Sequence, residues 1–426
     1  MSREVPSGWN SVELNDLTLT PDGLQTGPFG SQLKASEYTG SGIPVVMPSD
    51  IVNGKINVRN IARVPEATAN RLEAHKLMAD DIVFARRGDI GRCSIVRQEQ
   101  AGYLCGTGCL RARLNPALIT AAFADHLFKS APVVEWLNEH AVGQTMLNLN
   151  TAIISKIPLR LPPLHEQRRI AEILSSVDEG IAATRAVIEQ TRKVKQGVLE
   201  RLLTKGIGHT RFKQTEIGEI PEGWEVAEVQ EHFHVQLGKM LSKAAKVGGS
   251  PSPYLRNANV QWGRIDTEDV LYMDFSEQEK EKFRLQPGDL LVCEGGEVGR
   301  CAIWNDEREM YYQKALHRLR ERTGVVKNQF LMYVLLRVFT SKALSAGLVG
   351  TNSIAHFTRE QFLRLKFSVP DAEEQNVICE ILGALDVSIN ENISKMEALL
   401  STKFALMSDL LTGRKRVTDT LPMAAE

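Results

Sequence analysis

The sequence predicts an α+β protein: two pseudo-symmetric globular domains joined by two long helices that form an antiparallel intramolecular coiled coil. Three observations predict it. One set of residues is written twice in the same order, each copy ends in a heptad-patterned run, and short β-rich segments alternate with helical ones ahead of each run. The expected division is a first globular domain over 1–164, a helix over 165–206, a linker over 207–219, a second globular domain over 220–372, a second helix over 373–413 and a tail over 414–426.

The repeat is the primary signal. Pro6-Ser7-Gly8-Trp9 returns as Pro221-Glu222-Gly223-Trp224. Asp81-Ile82-Val83-Phe84 and the following Gly88-Asp89-Ile90-Gly91-Arg92-Cys93 return as Asp289-Leu290-Leu291-Val292 and Gly296-Glu297-Val298-Gly299-Arg300-Cys301. Glu166-Gln167, Ile170 and Glu172-Ile173-Leu174 return as Glu374-Gln375, Ile378 and Glu380-Ile381-Leu382, and Leu202-Leu203-Thr204 as Leu410-Leu411-Thr412. The later matches share an offset of about 208 residues, far above the roughly 20–50 residues of a solenoid repeat, so a whole domain pair is duplicated.

Within each copy the globular part reads as mixed. Ile82–Phe84 and Cys93–Val96 are short β-rich runs around Gly-containing turns, and helical periodicity appears over Ala121–Leu137 and Gln329–Leu344. Proline-containing segments, Ile157-Pro158 to Pro162-Pro163 and Val369-Pro370, then suit the start of a helix, whose interior proline would break.

The helices follow. Ile170, Leu174, Val177, Ile181, Thr184, Ile188, Thr191, Lys195, Val198 and Leu202 advance by alternating steps of four and three. The same register in the second copy gives Ile378, Leu382, Leu385, Ile389, Asn392, Met396, Leu399, Lys403, Leu406 and Leu410. This is the coiled-coil period, with the polar members weakening the seam while specifying its register. About 38 residues give a helix roughly 57 Å long, and Gly206 and Gly413 stand as stop signals. Each apolar stripe needs a cover. The other copy supplies one if the helices pair within the chain; the alternative is that each helix packs on its own domain. Two similar units paired through one surface adopt a pseudo-two-fold arrangement, which makes the helices antiparallel.

Composition bounds what such a molecule does. The 426 residues are 43% hydrophobic and 24% charged, enough for packed cores. No run approaches the ~20 apolar residues of a membrane span. The first residues lack an apolar signal region, so a cytoplasmic protein with reduced thiols is expected, and six cysteines do not make a disulfide scaffold. A net charge of −1 excludes nucleic-acid binding by bulk basicity and leaves local basic surfaces open.

The residues resemble a known family. Gly27-Pro28-Phe29-Gly30-Ser31-Gln32-Leu33-Lys34, the Gly88–Arg92 hairpin, Pro162-Pro163-Leu164-His165-Glu166-Gln167 opening a long helix, the segment from Thr204 to Trp224 and the ending Leu410-Leu411-Thr412-Gly413 are similar to those of specificity (S) subunits of type I restriction–modification systems. The set covers essentially the whole chain. The resemblance implies two target-recognition domains, each reading one half of a bipartite double-stranded DNA site, with the helices as a ruler and as the platform for two methyltransferase subunits. It also implies adenine N6 methylation with S-adenosylmethionine, and ATP- and Mg-dependent restriction when restriction/translocase subunits join, all three cofactors being held by the partners and none by this chain. The second copy departs in two places. Gln236-Leu237-Gly238-Lys239-Met240-Leu241 stands where the Gly-Pro-Phe-Gly loop is expected, and Phe84-Ala85-Arg86-Arg87 is answered by Val292-Cys293-Glu294-Gly295. Shared scaffold with altered tips implies an asymmetric target.

Catalytic chemistry finds little support. His165-Glu166-Gln167-Arg168-Arg169 lacks the second histidine of a zinc-protease helix, no Walker A sequence occurs, and no Asn-Pro-Pro-aromatic tetrapeptide of an amino-methyltransferase occurs. Cys93, Cys105 and Cys109 lack zinc-ligand spacing and read as core thiols. The Gly-x-x-Gly pairs read as hairpin turns, with a phosphate clamp as the alternative. The candidates for DNA contact are Lys34, Arg86, Arg87, Arg92, Arg111, Arg113, Gln144 and Asn148 in the first copy, and Lys239, Lys243, Arg300, His317, Arg318 and Asn352 in the second. Arginine reads guanine bidentately and lysine holds phosphate. The tail Arg414-Lys415-Arg416 reads as a solvated helix end. The competing functions are a self-contained DNA-modifying enzyme and a scaffold with two heads that bind something other than nucleic acid.

Overall fold

The computed structural model describes residues 5–19, 23–143, 148–241, 251–341 and 359–417. The candidates Gln144, Lys243 and Asn352 lie outside them. The chain divides into two compact units, residues 1–185 with 394–426, and residues 186–393. Two long helices, a central one over Leu164–Lys205 and a C-terminal one over Ala372–Leu410, each contribute one half to each unit.

In the first unit a strand β1 (Asn10–Glu13) pairs antiparallel with the strand that leads into the central helix. A four-stranded sheet is built from β2 (Leu24–Thr26), β5 (Ile82–Ala85), β6 (Cys93–Ile95) and β8 (Cys109–Ala112), in the order β2-β8-β5-β6. A second sheet sets β3 (Ile43–Val46) between β4 (Ala62–Val64) and β7 (Leu104–Cys105). Strand β5 is apolar at every position because both of its faces are covered. Ile82 and Phe84 enter the core that also holds Phe123, Phe128, Ile170 and Leu174, while Val83 and Ala85 enter a second cluster with Val46 and Ile51.

The periodic stretch after residue 120 is not one helix but two, α1 (Ala121–Phe128) and α2 (Ala131–His140). Pro132 at the start of α2 cannot continue a preceding helix, which accounts for the break. Thr120 caps α1, its hydroxyl accepting from the Phe123 N–H at 3.4 Å. The strand β9 (Pro158–Leu161) then leads into the central helix.

The second unit repeats this plan. After the hairpin β10 (Phe212–Thr215) and β11 (Gly218–Pro221), strand β12 (Glu225–Glu228) pairs with the strand that precedes the C-terminal helix. The four-stranded sheet consists of β13 (Phe233–Leu237), β16 (Leu290–Cys293), β17 (Cys301–Ile303) and β19 (Leu316–Glu321), in the order β13-β19-β16-β17. A three-stranded sheet sets β14 (Pro251–Leu255) between β15 (Leu271–Asp274) and β18 (Tyr311–Tyr312). Helix α3 (Asn328–Thr340) and strand β20 (Lys366–Val369) complete the plan. Strand β16 divides its side chains between two cores as β5 does.

Helix pairing occurs inside each unit. In the first, Ile170 and Leu174 share a core with Leu410 and Leu411. Further along the central helix, Asp178 takes Lys403 at 2.6 Å, so the two helices run antiparallel. In the second unit Leu199, Leu202 and Leu203 share a core with Ile378 and Leu382, and Lys195 takes Asp386 at 2.5 Å. Of the seam residues read from the sequence, Ile181, Ile188 and Ile389 are also buried, whereas Val177, Leu385 and Met396 are half-buried. The two seam lysines are thus matched by aspartates, which fixes register where leucines alone would tolerate slippage.

Candidate nucleic-acid interface

Strand direction gathers the candidate loops of each unit at one end of its four-stranded sheet. In the first unit β2 and β5 both run antiparallel to β8, so the residues that follow β2 and β5 emerge beside the start of β8. The Gly27 N–H donates to Cys109 O at 2.9 Å and the Arg86 N–H to Gly108 O at 3.0 Å. A Cβ on Gly27 would stand 1.8 Å from Gly106 O, so only glycine permits this crossing. The segment at 148–149 joins the same end, because the Leu149 N–H donates to Arg86 O at 2.8 Å and Asn148 forms a bridge with Arg87.

The second unit places its loops by the same register. Gly238 donates to Leu316 O at 3.1 Å, and Glu294 to Ala315 O at 3.0 Å. A Cβ on Gly238 would stand 2.3 Å from Gln313 O. Gly238 therefore occupies the position of Gly27, and the loop that departs in sequence keeps its place in the fold. The hairpins after β5 and β16 turn through glycines with positive φ, Gly88 (80°) and Gly91 (92°), Gly296 (77°) and Gly299 (81°). A Cβ on Gly91 would stand 2.8 Å from the Val134 side chain, and one on Gly299 2.2 Å from Phe339, so the second glycine of each pair admits a helix.

Several candidates for DNA contact are interior, and the expectation for them is corrected. Arg111 is 2% exposed and donates to Gln25 Oε1 at 2.8 Å. Arg113 makes a two-pronged pair with the buried Asp81, both bonds 2.9 Å. Arg318 is buried and donates to the carbonyls of Lys282 and Arg284. His317 is 1% exposed; burial, then the charge of Arg359, pushes its pKa down to about 4, so at neutral pH it carries no charge for a phosphate. Arg111, His317 and Arg318 lie on the inner strands β8 and β19, where both faces are covered, and Arg113 directly follows β8. Arg86 is likewise buried, and its Nε holds the Asn148 side-chain oxygen at 3.2 Å. Arg92 and Arg300 brace their hairpins, Arg92 against Asp89 at 3.2 Å and Arg300 against Asn257 O at 2.7 Å. Lys239 is drawn inward to Glu279 and Asp274 O, each at 2.6 Å. Lys34 and Arg87 are exposed and carry no ion pair among the described residues.

The sequence reading missed what Glu166 and Glu374 do. Glu166, 2% exposed, accepts from Trp9 Nε1 at 3.0 Å and takes the Arg416 guanidinium on both oxygens at 2.8 Å. Glu374 accepts from Trp224 Nε1 at 2.8 Å and faces His209 at 3.0 Å. Each glutamate ties the Gly-Trp segment of its unit to the residues that follow the antiparallel helix. The adjacent glutamines lock the loops that lead into α1 and α3: Gln167 binds Thr120 N and Leu118 O, and Gln375 binds Lys327 N and Val325 O. The signal was the repeated Gly-Trp with the repeated Glu-Gln, both conspicuous in the duplication. Arg416 is thus a clamp residue, and Arg414 and Lys415 pair with Asp409. The six cysteines are all buried and unpaired, with burial pushing the Cys93 and Cys105 thiols up to about 12. No helix among the described residues is long and apolar enough to cross a membrane.

The profile of the type I restriction modification DNA specificity domain matches residues 6–191 and again 221–398. The MjaVIII type I restriction enzyme specificity subunit of Methanocaldococcus jannaschii is 32% identical over 301 residues, 68% of this chain and 70% of its own length. The EcoKI specificity subunit of Escherichia coli is 25% identical over 68% of this chain and 61% of its own. Among solved structures, the S subunit of a type I restriction–modification system from M. genitalium shares the fold, with a TM-score of 0.59 at 16% identity over 96% of this chain and 97% of that one. The duplicated profile falls on the two sheet-and-helix copies, and the chain belongs to the type I restriction modification DNA specificity family, as a specificity subunit that recognises DNA sequence with two related domains.

Proposed function

We propose that each unit reads one half of a bipartite, asymmetric site in double-stranded DNA, and that the chain seats two methyltransferase subunits, one per half-site. The observation that carries this reading is the gathering, in each unit, of a loop and a hairpin tip at one end of the four-stranded sheet. The tips differ chemically at matched positions. Arg86-Arg87 in one unit is replaced by Glu294-Gly295 in the other. The exposed Arg87 suits guanine and has only Gly295 at its place in the second unit. Glu294 can accept from a cytosine amino group where the buried Arg86 is tied to Asn148, so the two half-sites differ in sequence. Loops of this kind on a rigid sheet are where recognition residues concentrate.

The long helices supply the second part of the reading. Leu400 and Phe404, one turn apart on the C-terminal helix in the first unit, are 45% and 70% exposed. Val187 and Val194 on the central helix, and Val377 and Ile381 on the C-terminal one, are exposed in the second. Exposed apolar side chains at helical spacing suit partner proteins. The reaction that follows is adenine N6 methylation, with S-adenosylmethionine bound by the methyltransferase partners. Restriction/translocase subunits using ATP and Mg complete a cytoplasmic assembly. The chain itself would contribute position and sequence choice.

The test is single-molecule sequencing of chromosomal DNA from cells that express this chain with a cognate methyltransferase subunit, against cells that lack only this chain. A split adenine-methylated motif present only with the chain is the expected result. No new motif from a soluble, assembled complex would contradict the reading.

A further inference from the structure

The two loops that follow Gly27 and Gly238 carry a feature that the basic candidates do not explain. Register fixes the correspondence between them. Thr26 pairs with Leu110, which pairs with Phe84; Leu237 pairs with His317, which pairs with Val292. Counting two residues past each glycine reaches Phe29 and Met240. Phe29 is 57% exposed and Met240 is 65% exposed. Two large apolar side chains, different in sequence and placed at the same position of two related loops, are both left in solvent.

Both are held there. Pro28 fixes its own φ ahead of Phe29. The Phe29 N–H donates to Gln32 Oε1 at 2.9 Å, and Phe29 O accepts from the N–H groups of Gln32 and Leu33 at 2.8 and 3.1 Å. Leu33 is 3% exposed and anchors the turn. In the second unit the residue ahead of Met240 is pinned on three sides. The Lys239 N–H donates to Tyr312 O at 3.1 Å, Lys239 O accepts from Lys314 N at 2.8 Å, and its ammonium reaches Glu279 and Asp274 O. The preceding glycines cannot yield, because a Cβ would strike backbone at Gly106 or Gln313. An exposed apolar side chain on a backbone ordered in advance loses little entropy when it meets a partner, which is the property of a contact residue rather than of a stray surface one.

The partner is set by the neighbours. Each loop leaves the sheet at the end that also carries the Arg87 or Glu294 tip, the end assigned above to DNA. Proteins that read DNA use phenylalanine and methionine on the apolar parts of bases, the thymine methyl at a groove edge or the face of a partly unstacked step. We propose that Phe29 and Met240 are base contacts, each packing on the apolar part of a base in the half-site read by its own unit. The proposal rests on the DNA reading of the sheet end. Lys239 then acts as a positioning residue for Met240 and not as a phosphate contact. The mixed tip of each unit becomes a polar reader from the hairpin and an apolar reader from the loop.

The test uses the complex with its methyltransferase subunit, and a duplex carrying the motif that the wild-type complex methylates. Phe29→Ala is expected to weaken binding to that duplex about tenfold and to relax the methylated motif in one half-site only. Met240→Ala should do the same in the other half-site, and Phe29→Leu should keep most of the affinity. Replacing thymine by uracil in the affected half-site reproduces the loss if the methyl is the contact. A 2-aminopurine signal that depends on Phe29 marks an unstacked step instead. Unchanged affinity and an unchanged motif in both alanine variants would overturn the proposal. So would loss of the methyltransferase subunit from the variant complex at unaltered DNA affinity, which would make the loops protein contacts. Failure of the wild-type complex to methylate any split motif would instead strike the DNA reading itself, so the two failures are distinguishable.

Discussion

At the scale of the residue, the same side chain serves the core or the surface according to what faces it. Arg113 and Arg87 are alike in sequence terms, yet Arg113 meets the buried Asp81 at 2.9 Å and Arg87 meets solvent. Asp81→Ala leaves a largely buried guanidinium without its carboxylate. It should lower the unfolding free energy by about 3 kcal/mol, seen as an earlier midpoint in urea. Arg87→Ala should change the unfolding free energy by no more than about 0.5 kcal/mol and weaken DNA binding instead. Asp289 and Arg320 repeat the pair in the second unit at 2.7 Å, so Asp289→Ala should be destabilising in the same way. Burial divides the arginines in a way the sequence does not display, because the deciding carboxylate lies some thirty positions away across a sheet. The repeat held the hint, since Asp81 recurs as Asp289.

The clamp at Glu166 makes a prediction in pH. Burial alone raises its carboxyl pKa, but the bonds from Arg416 and Trp9 and the Arg416 charge outweigh it, and the net value lies below the ordinary 4.5. A carboxylate whose pKa is lower in the folded than in the unfolded chain stabilises the fold fully above its unfolded value. That stabilisation fades as the pH falls below the ordinary 4.5 toward the folded value. Glu166→Gln should therefore melt earlier than the wild type at neutral pH. The gap should narrow when the melting temperature is followed down to about pH 3.5. A gap independent of pH would show that the carboxylate charge is not what the clamp uses.

At the scale of the element, the helices were the most legible part of the sequence. The alternating steps of four and three named Ile170, Leu174, Ile378 and Leu382, all now fully buried. Such a period is readable because every seam position repeats the same physical demand. Lys195 and Lys403 were legible only as exceptions to the stripe, and their reason emerged with Asp386 and Asp178. The helical periodicity over Ala121–Leu137 belongs to two helices that part at Lys129-Ser130, because apolar spacing alone does not register where Pro132 restarts the turn. If the helices set the spacing between half-sites, inserting one heptad into both keeps the seam in register. Sequencing of the methylated sites should then give the two original half-site sequences with a longer unspecified spacer. The original spacer length would contradict a ruler.

At the scale of the whole molecule, duplication is what joins the levels. One plan of sheet, helix and clamp occurs twice, and the tips at one end of each sheet are among the parts that differ between copies. The fold was legible because duplicated signals reinforce one another. The reading residues were less so, because an exposed phenylalanine and an exposed methionine look unrelated until strand register equates them. Division of labour between the units is the central claim, and mapping methylated adenines with the tip of one unit altered tests it most directly. With Arg87→Ala, the account predicts a motif relaxed or changed in one half-site, with the other half-site and the spacer as in the wild type. A change in both half-sites from this single substitution would contradict it.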